Sequence, residues 1–117
     1  GKLPVELTQA ESWDLDMLAL THPQAAAIVE WALFDSRIGD KTGKHFADRS
    51  VFVRFLAVVE AEYQDQPYHN FTHACDVCHT VYRLLSEVQS DSWLSVLEQY
   101  GLLVASICHD IGHPGRT

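Results

Sequence analysis

Apolar residues recur at three- and four-residue steps through most of the chain, and no segment alternates apolar with polar as a half-buried strand would. The pattern predicts an all-α protein. After an irregular start over residues 1–11, Trp13, Leu15, Met17 and Leu18 mark a short packed segment with Ser12 or Asp14 as its cap. Thr21-His22-Pro23 reads as a helix start with Pro23 in the first helical position, and Ile28, Val29, Ala32 and Leu33 carry that helix to about Phe34. Gly39 to Gly43 is expected to break regularity, with Asp40 and Lys41 solvated. A second helix, capped by Ser50, presents Phe52, Phe55, Leu56, Val59 and Tyr63 on one stripe, with Arg54, Glu60 and Glu62 turned away. Asp65-Gln66-Pro67 ends it, because proline cannot continue the backbone ladder.

A third helix starts near Tyr68 or Asn70 and continues to Glu87. At about 100° per residue, His69, His73, Asp76 and Thr80 share one face. Val77, Val81, Leu84 and Leu85 form the neighbouring stripe expected to face the core. Asp91 or Ser92 is the expected cap of a fourth helix, where Trp93, Leu97, Tyr100, Val104 and Ile107 keep helical spacing. Its last turns, Leu102 to Cys108, are apolar nearly all round, which predicts burial on every side. There is no internal repeat or low-complexity tract.

Composition narrows the function classes. A chain of 117 residues with 47% hydrophobic content fits one small globular domain. A formal net charge of −8 argues against nucleic-acid and anionic-membrane partners, which require basic patches. It leaves a phosphate substrate open, because bound divalent ions would be the largest local charges. No apolar run approaches a membrane span, since Glu30 interrupts Ala25 to Phe34. Cys75, Cys78 and Cys108 are an odd set in a chain without secretory features, and indicate reduced thiols and a cytoplasmic setting. Cys75 and Cys78 lack the second pair of a zinc knuckle and read as core thiols.

Candidate chemistry gathers in two blocks, Tyr68-His69-Asn70-Phe71-Thr72-His73-Ala74-Cys75-Asp76-Val77 and His109-Asp110-Ile111-Gly112-His113-Pro114-Gly115. Alone, His109-Asp110 reads first as a helix C-cap beside a satisfied core histidine. His73 on a different helix, with His113 four residues after His109, shifts the reading to a metal site. Imidazole and carboxylate are suitable ligands for Zn, Mn, Fe or Mg. A carboxylate at the end of a buried helix is costly unless a cation neutralises it. His69, one turn before His73, is either a surface residue at a helix start or a proton donor to a leaving alkoxide. His22 and His45 read as lone surface histidines.

The two blocks, in this order and spacing, closely resemble the class I 3',5'-cyclic nucleotide phosphodiesterase catalytic domain, whose pattern is YHN-x-x-HA-x-DV followed by HD-x-x-HPG-x-x-N. Ser12-Trp13-Asp14-Leu15-Asp16 is similar to a segment that precedes the family's first helices, so the resemblance runs from about Ser12 to the end. It implies a compact multi-helix fold of the HD type, with residues 1–117 forming the N-terminal part of one catalytic domain. It also implies hydrolysis of cAMP or cGMP to the 5'-monophosphate by a metal-bridged hydroxide. By the same resemblance, His69 is the general acid, and His73, His109 and Asp110 hold a zinc ion. Asp110 would bridge to a second ion, Mg2+ or Mn2+; His113 stands near that ion, and Tyr68 lines the nucleotide pocket. The remainder of the domain would supply a further aspartate ligand and the purine-clamping residues, so the isolated 117 residues are expected to be inactive and poorly folded. A homodimer is compatible with the resemblance. Gly112 stands where the family commonly has an acid, and His79 where glutamine is frequent. Two other readings are another HD-type metal-dependent phosphohydrolase and a degenerate, non-catalytic helical module that keeps its metal as a staple.

Overall fold

The computed structural model describes residues 3–46, 48–63 and 70–109. Six α-helices run through them: α1 (Leu7–Ala10), α2 (His22–Phe34), α3 (Arg37–Phe46), α4 (Arg49–Glu62), α5 (Phe71–Glu87) and α6 (Val96–Cys108). Short 3-10 turns lie at Met17–Ala19 and Ser90–Ser92, and no strand occurs among the described residues. The all-α prediction holds. No helix among those residues is long and apolar enough to cross a membrane.

Several helix starts are fixed by side-chain caps. Thr21 accepts a hydrogen bond from the Gln24 amide while the Gln24 side chain accepts one from the Thr21 amide, a reciprocal capping box. Pro23 is therefore the second helical residue, one position later than expected, and His22 the first. Asp48, not Ser50, caps α4: its carboxylate accepts from both the amide and the hydroxyl of Ser50 at 2.8 and 2.6 Å. The fourth predicted helix starts later than Asp91 or Ser92. Residues 90–92 form a 3-10 turn after Gln89, which adopts the left-handed conformation, and Ser95 with Glu98 makes the capping box of α6. The irregular opening predicted for residues 1–11 contains one helical turn, held by a Glu6–Gln9 capping box.

The clearest correction concerns Gly39 to Gly43, which does not break the chain; α3 runs through both glycines. Gly39 is required by packing rather than by a turn. A Cβ there would lie 2.5–2.6 Å from backbone atoms of Ala32, Leu33 and Phe34 at the end of α2. The two helices can fold back on each other this tightly because that side chain is absent. Ser36 secures the corner, donating from Oγ to the Ala32 carbonyl at 2.7 Å and accepting from the Gly39 amide at 2.9 Å. Asp40 and Lys41 are exposed, as expected.

In the bundle α2 packs on α3 and α5, and α6 packs on α3 and α5, so these four helices close a ring while α4 lies against α2. Phe34, Ile28 and Leu33 of α2, Phe71 and Tyr82 of α5, and Leu103 and Ile107 of α6 fill the core. Burial of such side chains stabilises the fold by about 1.5–3 kcal/mol each. Phe52 of α4 meets Phe34 edge-on, at 5.4 Å between ring centroids. The apolar stripe predicted for α5 is rotated. Leu84 is 51% exposed, Val77 and Val81 are half-buried, and only Leu85 of that set is buried. The core face is instead Phe71, Ala74, Cys75, Cys78 and Tyr82. Nor is α6 buried all round: Leu103, Ser106 and Ile107 face inward, whereas Trp93 just before it and Leu97 and Leu102 on it are exposed.

The N-terminal segment is strapped onto α5 by polar contacts. His79 donates from Nε2 to the Ala10 carbonyl at 2.7 Å, and the Tyr82 hydroxyl donates to Glu11 at 2.7 Å. Arg83, nearly buried, pairs with Glu87 and Glu11 and lies over the Trp13 ring. His79 is neutral by preference, because burial holds its pKa below the ordinary value against the smaller opposing effect of the Ala10 hydrogen bond.

Candidate metal centre

Helix α5 begins at Phe71, and Asn70 caps it by accepting the His73 amide at 2.9 Å. The cap therefore bonds directly to the residue whose side chain matters, fixing His73 in the first turn. Asn70 is one of the best N-cap residues, and losing such a cap costs about 1 kcal/mol. At the other side of the site, His109 is the C-cap of α6. The packing of α5 on α6 brings the two imidazoles together, with ring centroids 6.0 Å apart and planes tilted by 48°. Two imidazoles bound to one zinc at Zn–N distances of about 2.0–2.1 Å would have centroids roughly 5 Å apart, about 1 Å closer than these two rings.

The tautomer of His109 follows from its surroundings. Its Nδ1 lies 2.8 Å from the Ser106 carbonyl, which can only accept, so Nδ1 carries a proton and, in the neutral imidazole, Nε2 is the nitrogen with the lone pair. Metal-binding histidines are commonly oriented in this way, donating the other ring N–H to a backbone carbonyl. The helix ends add to this. The C-terminal end of α6 carries partial negative charge that favours a cation, and the N-terminal end of α5 carries partial positive charge that favours an anion.

Of the predicted site residues, His73 and His109 are thus adjacent. Tyr68, His69, Asp110 and His113 lie outside the described residues, as do Gly112 and the side chain of His45. Among the described residues no group of three or more His, Cys, Asp or Glu side chains is placed to hold a metal. Asp76 and Thr80, on the predicted face of α5, are half-buried and exposed.

The structure adds neighbours that the sequence pattern did not single out. His22 is not a lone surface residue: its Nδ1 is 2.8 Å from Glu60 of α4, and its ring meets Phe71, the first residue of α5, edge-on at 5.5 Å. Tyr63, expected only as a core residue, donates its hydroxyl to the Ile107 carbonyl at 2.8 Å. Nothing in the local spacing marks these partners, because each contact joins helices distant in sequence. Cys75 and Cys78 are core thiols, and Cys108 is half-buried against the core. Burial pushes Cys78 up to about 12 despite a hydrogen bond with Ser106, and raises Cys75 further and Cys108 less. None has the depressed pKa of a nucleophile or redox thiol.

Comparison with known proteins bears on the same region. Residues 68–117 match the family described as 3'5'-cyclic nucleotide phosphodiesterase. The chain is 33% identical over 111 residues to the human (Homo sapiens) high affinity cAMP-specific and IBMX-insensitive 3',5'-cyclic phosphodiesterase 8A, covering 92% of this chain and 13% of that protein. It is 31% identical over 115 residues to the Drosophila melanogaster dual specificity calcium/calmodulin-dependent 3',5'-cyclic nucleotide phosphodiesterase 1, covering 95% of this chain and 14% of that one. It is 44% identical over 63 residues to the 3',5'-cyclic-nucleotide phosphodiesterase regA of Dictyostelium discoideum, covering 53% and 8%. The chain spans less than a fifth of the length of these relatives. No solved structure matches it significantly.

Proposed function

From the premise that this chain belongs to the class I 3',5'-cyclic nucleotide phosphodiesterase family, we propose that it forms part of a metal-dependent hydrolase that opens cAMP or cGMP to the 5'-monophosphate. The observation that carries this reading is the meeting of His73 and His109 at the junction of two helix ends, with Nδ1 of His109 turned to the Ser106 carbonyl.

In this reading His73 and His109 hold one divalent ion with Asp110, the next residue in the chain, and His113 serves a second ion. The donor set of imidazole and carboxylate suits zinc in the first position and Mg2+ or Mn2+ in the second. Such ions supply Lewis-acid stabilisation of phosphoryl oxygens and acidify water. The protein's own contributions are distinct. Asn70 holds His73 in register, the Ser106 carbonyl holds the His109 tautomer, and the α5 N-terminus favours the phosphate charge. His69, one residue before Asn70, is the proposed proton donor to the departing 3' oxygen, and Tyr68 the proposed wall of the nucleotide pocket.

The test is hydrolysis of cAMP, cGMP and linear phosphate esters by this chain and by a longer version extending beyond Thr117, with and without chelator. Chelator-sensitive opening of a cyclic nucleotide, restored by Zn2+ plus Mg2+, is the expected result. Turnover of linear esters alone would indicate another phosphohydrolase. Metal binding with no turnover in either version would indicate a non-catalytic module.

A further inference from the structure

The last turn of a helix leaves four carbonyls without intrahelical partners. At the end of α6, two neighbouring ones have defined acceptor roles. The Ser106 carbonyl accepts Nδ1–H of His109, and the Ile107 carbonyl accepts the hydroxyl of Tyr63, at 2.8 Å in each case. Tyr63 is itself anchored: it caps the C-terminal end of α4, its amide bonds back to the Val59 carbonyl, and its side chain is almost fully buried. Ile107 is wholly buried too, so this hydrogen bond is shielded from water, where exchange for a solvent partner is not available. Helix α4 otherwise lies against α2, so the phenol reaches across the bundle to the turn that carries His109.

We propose that Tyr63 is a positioning residue for His109: its hydroxyl sets the direction of the final α6 turn and thereby the separation of the His109 and His73 rings. The description of His109 as a metal ligand rests on the function proposed above, but its placement by Tyr63 does not. The phenol acts on the backbone two residues before His109, next to the carbonyl that orients the imidazole. Loss of the bond would free the turn to fray, and the ring with it.

Tyr63→Phe deletes the hydroxyl and keeps the ring and its packing. Tyr82→Phe is the matched comparison, because Tyr82 is equally buried and its hydroxyl bonds to Glu11 and Ser36 rather than to α6. Two readouts are taken: the nuclear Overhauser contact between the His73 and His109 rings in the metal-free protein, and Co2+ affinity with its visible spectrum. The wild type is expected to show the ring-to-ring contact. Y63F is expected to lose at least half of its intensity and to bind Co2+ about tenfold more weakly, the scale seen when an outer-shell partner is removed. Y82F is expected to match the wild type in both. Retention of the contact in Y63F, its equal loss in Y82F, or its absence from the wild type would each overturn the proposal. A wild type that shows the contact and binds no Co2+, with the contact still lost in Y63F, would leave the positioning role standing and remove the metal-centre reading.

Discussion

The imidazoles of His73 and His109 stand 6.0 Å apart, centroid to centroid, one in the first turn of α5 and the other capping α6. In the proposed metal centre, replacing either with alanine removes one of two converging ligands. Zinc or cobalt affinity is expected to fall by more than about 100-fold, beyond the 10–100-fold range for loss of a supporting partner. Competition against a chelating dye measures it. An unchanged affinity in both variants would show that the ion, if bound, is held elsewhere.

Gly39 and Gly101 are expected to respond oppositely to alanine. At Gly39 the new methyl meets α2 backbone, which cannot swing aside, and overpacking of this kind costs about 1–3 kcal/mol. At Gly101, in the middle of α6, nothing lies within 4 Å of the added Cβ. There the gain in helix propensity is expected to stabilise by about 0.5–1 kcal/mol. Urea titrations of the two variants give both signs in one experiment.

The thiols should react in order of burial. Cys108 is half-buried, while Cys75 and Cys78 are fully buried with pKa values raised chiefly by desolvation. Alkylation of the native protein near pH 8, followed by mass spectrometry, is expected to label Cys108 at least about tenfold faster than the other two. In denaturant all three should label alike. Rapid native labelling of Cys78 would contradict the packing of α5 on α6.

His79 makes stability depend on pH in a definite direction. Burial lowers its folded-state pKa below the ordinary 6.5, with Asp76 and Glu11 pulling upward and Arg83 downward. Above about 6.5 the imidazole is neutral in both states and contributes no pH dependence. As pH falls below that value the unfolded chain takes up the proton first, so stability is lost until the folded imidazole also protonates. His79→Gln keeps a donor for the Ala10 carbonyl but does not titrate. Its melting temperature is expected to fall less than the wild type's between pH 7 and 5; parallel curves would exclude the effect.

Much of this protein was legible before any coordinates. The helical period of Phe52, Leu56 and Val59 placed α4's buried face correctly, and the paired histidine blocks marked the residues that α5 and α6 bring together. Those features are local: a stripe, a cap or a motif depends on residues a few positions apart. What the chain alone left undecided are contacts between elements. Gly39 looked like a breaker because propensity penalises glycine in a helix, whereas the close approach of α2 is what calls for it. Leu84 looked buried, because the 3.6-residue period identifies a stripe without saying which neighbour will cover it. The apolar end of α6 looked buried on all sides, yet among the described residues packing on α3 and α5 covers the side of Leu103 and Ile107 and leaves Leu102 exposed. By itself the sequence determined that the protein is helical and marked the two histidine blocks, of which His73 stands in the first turn of α5 and His109 caps α6. Tertiary packing alone decided that His73 meets His109, that His22 reaches Glu60 and that Tyr63 reaches Ile107, since each pairing depends on how distant helices cross rather than on any local spacing.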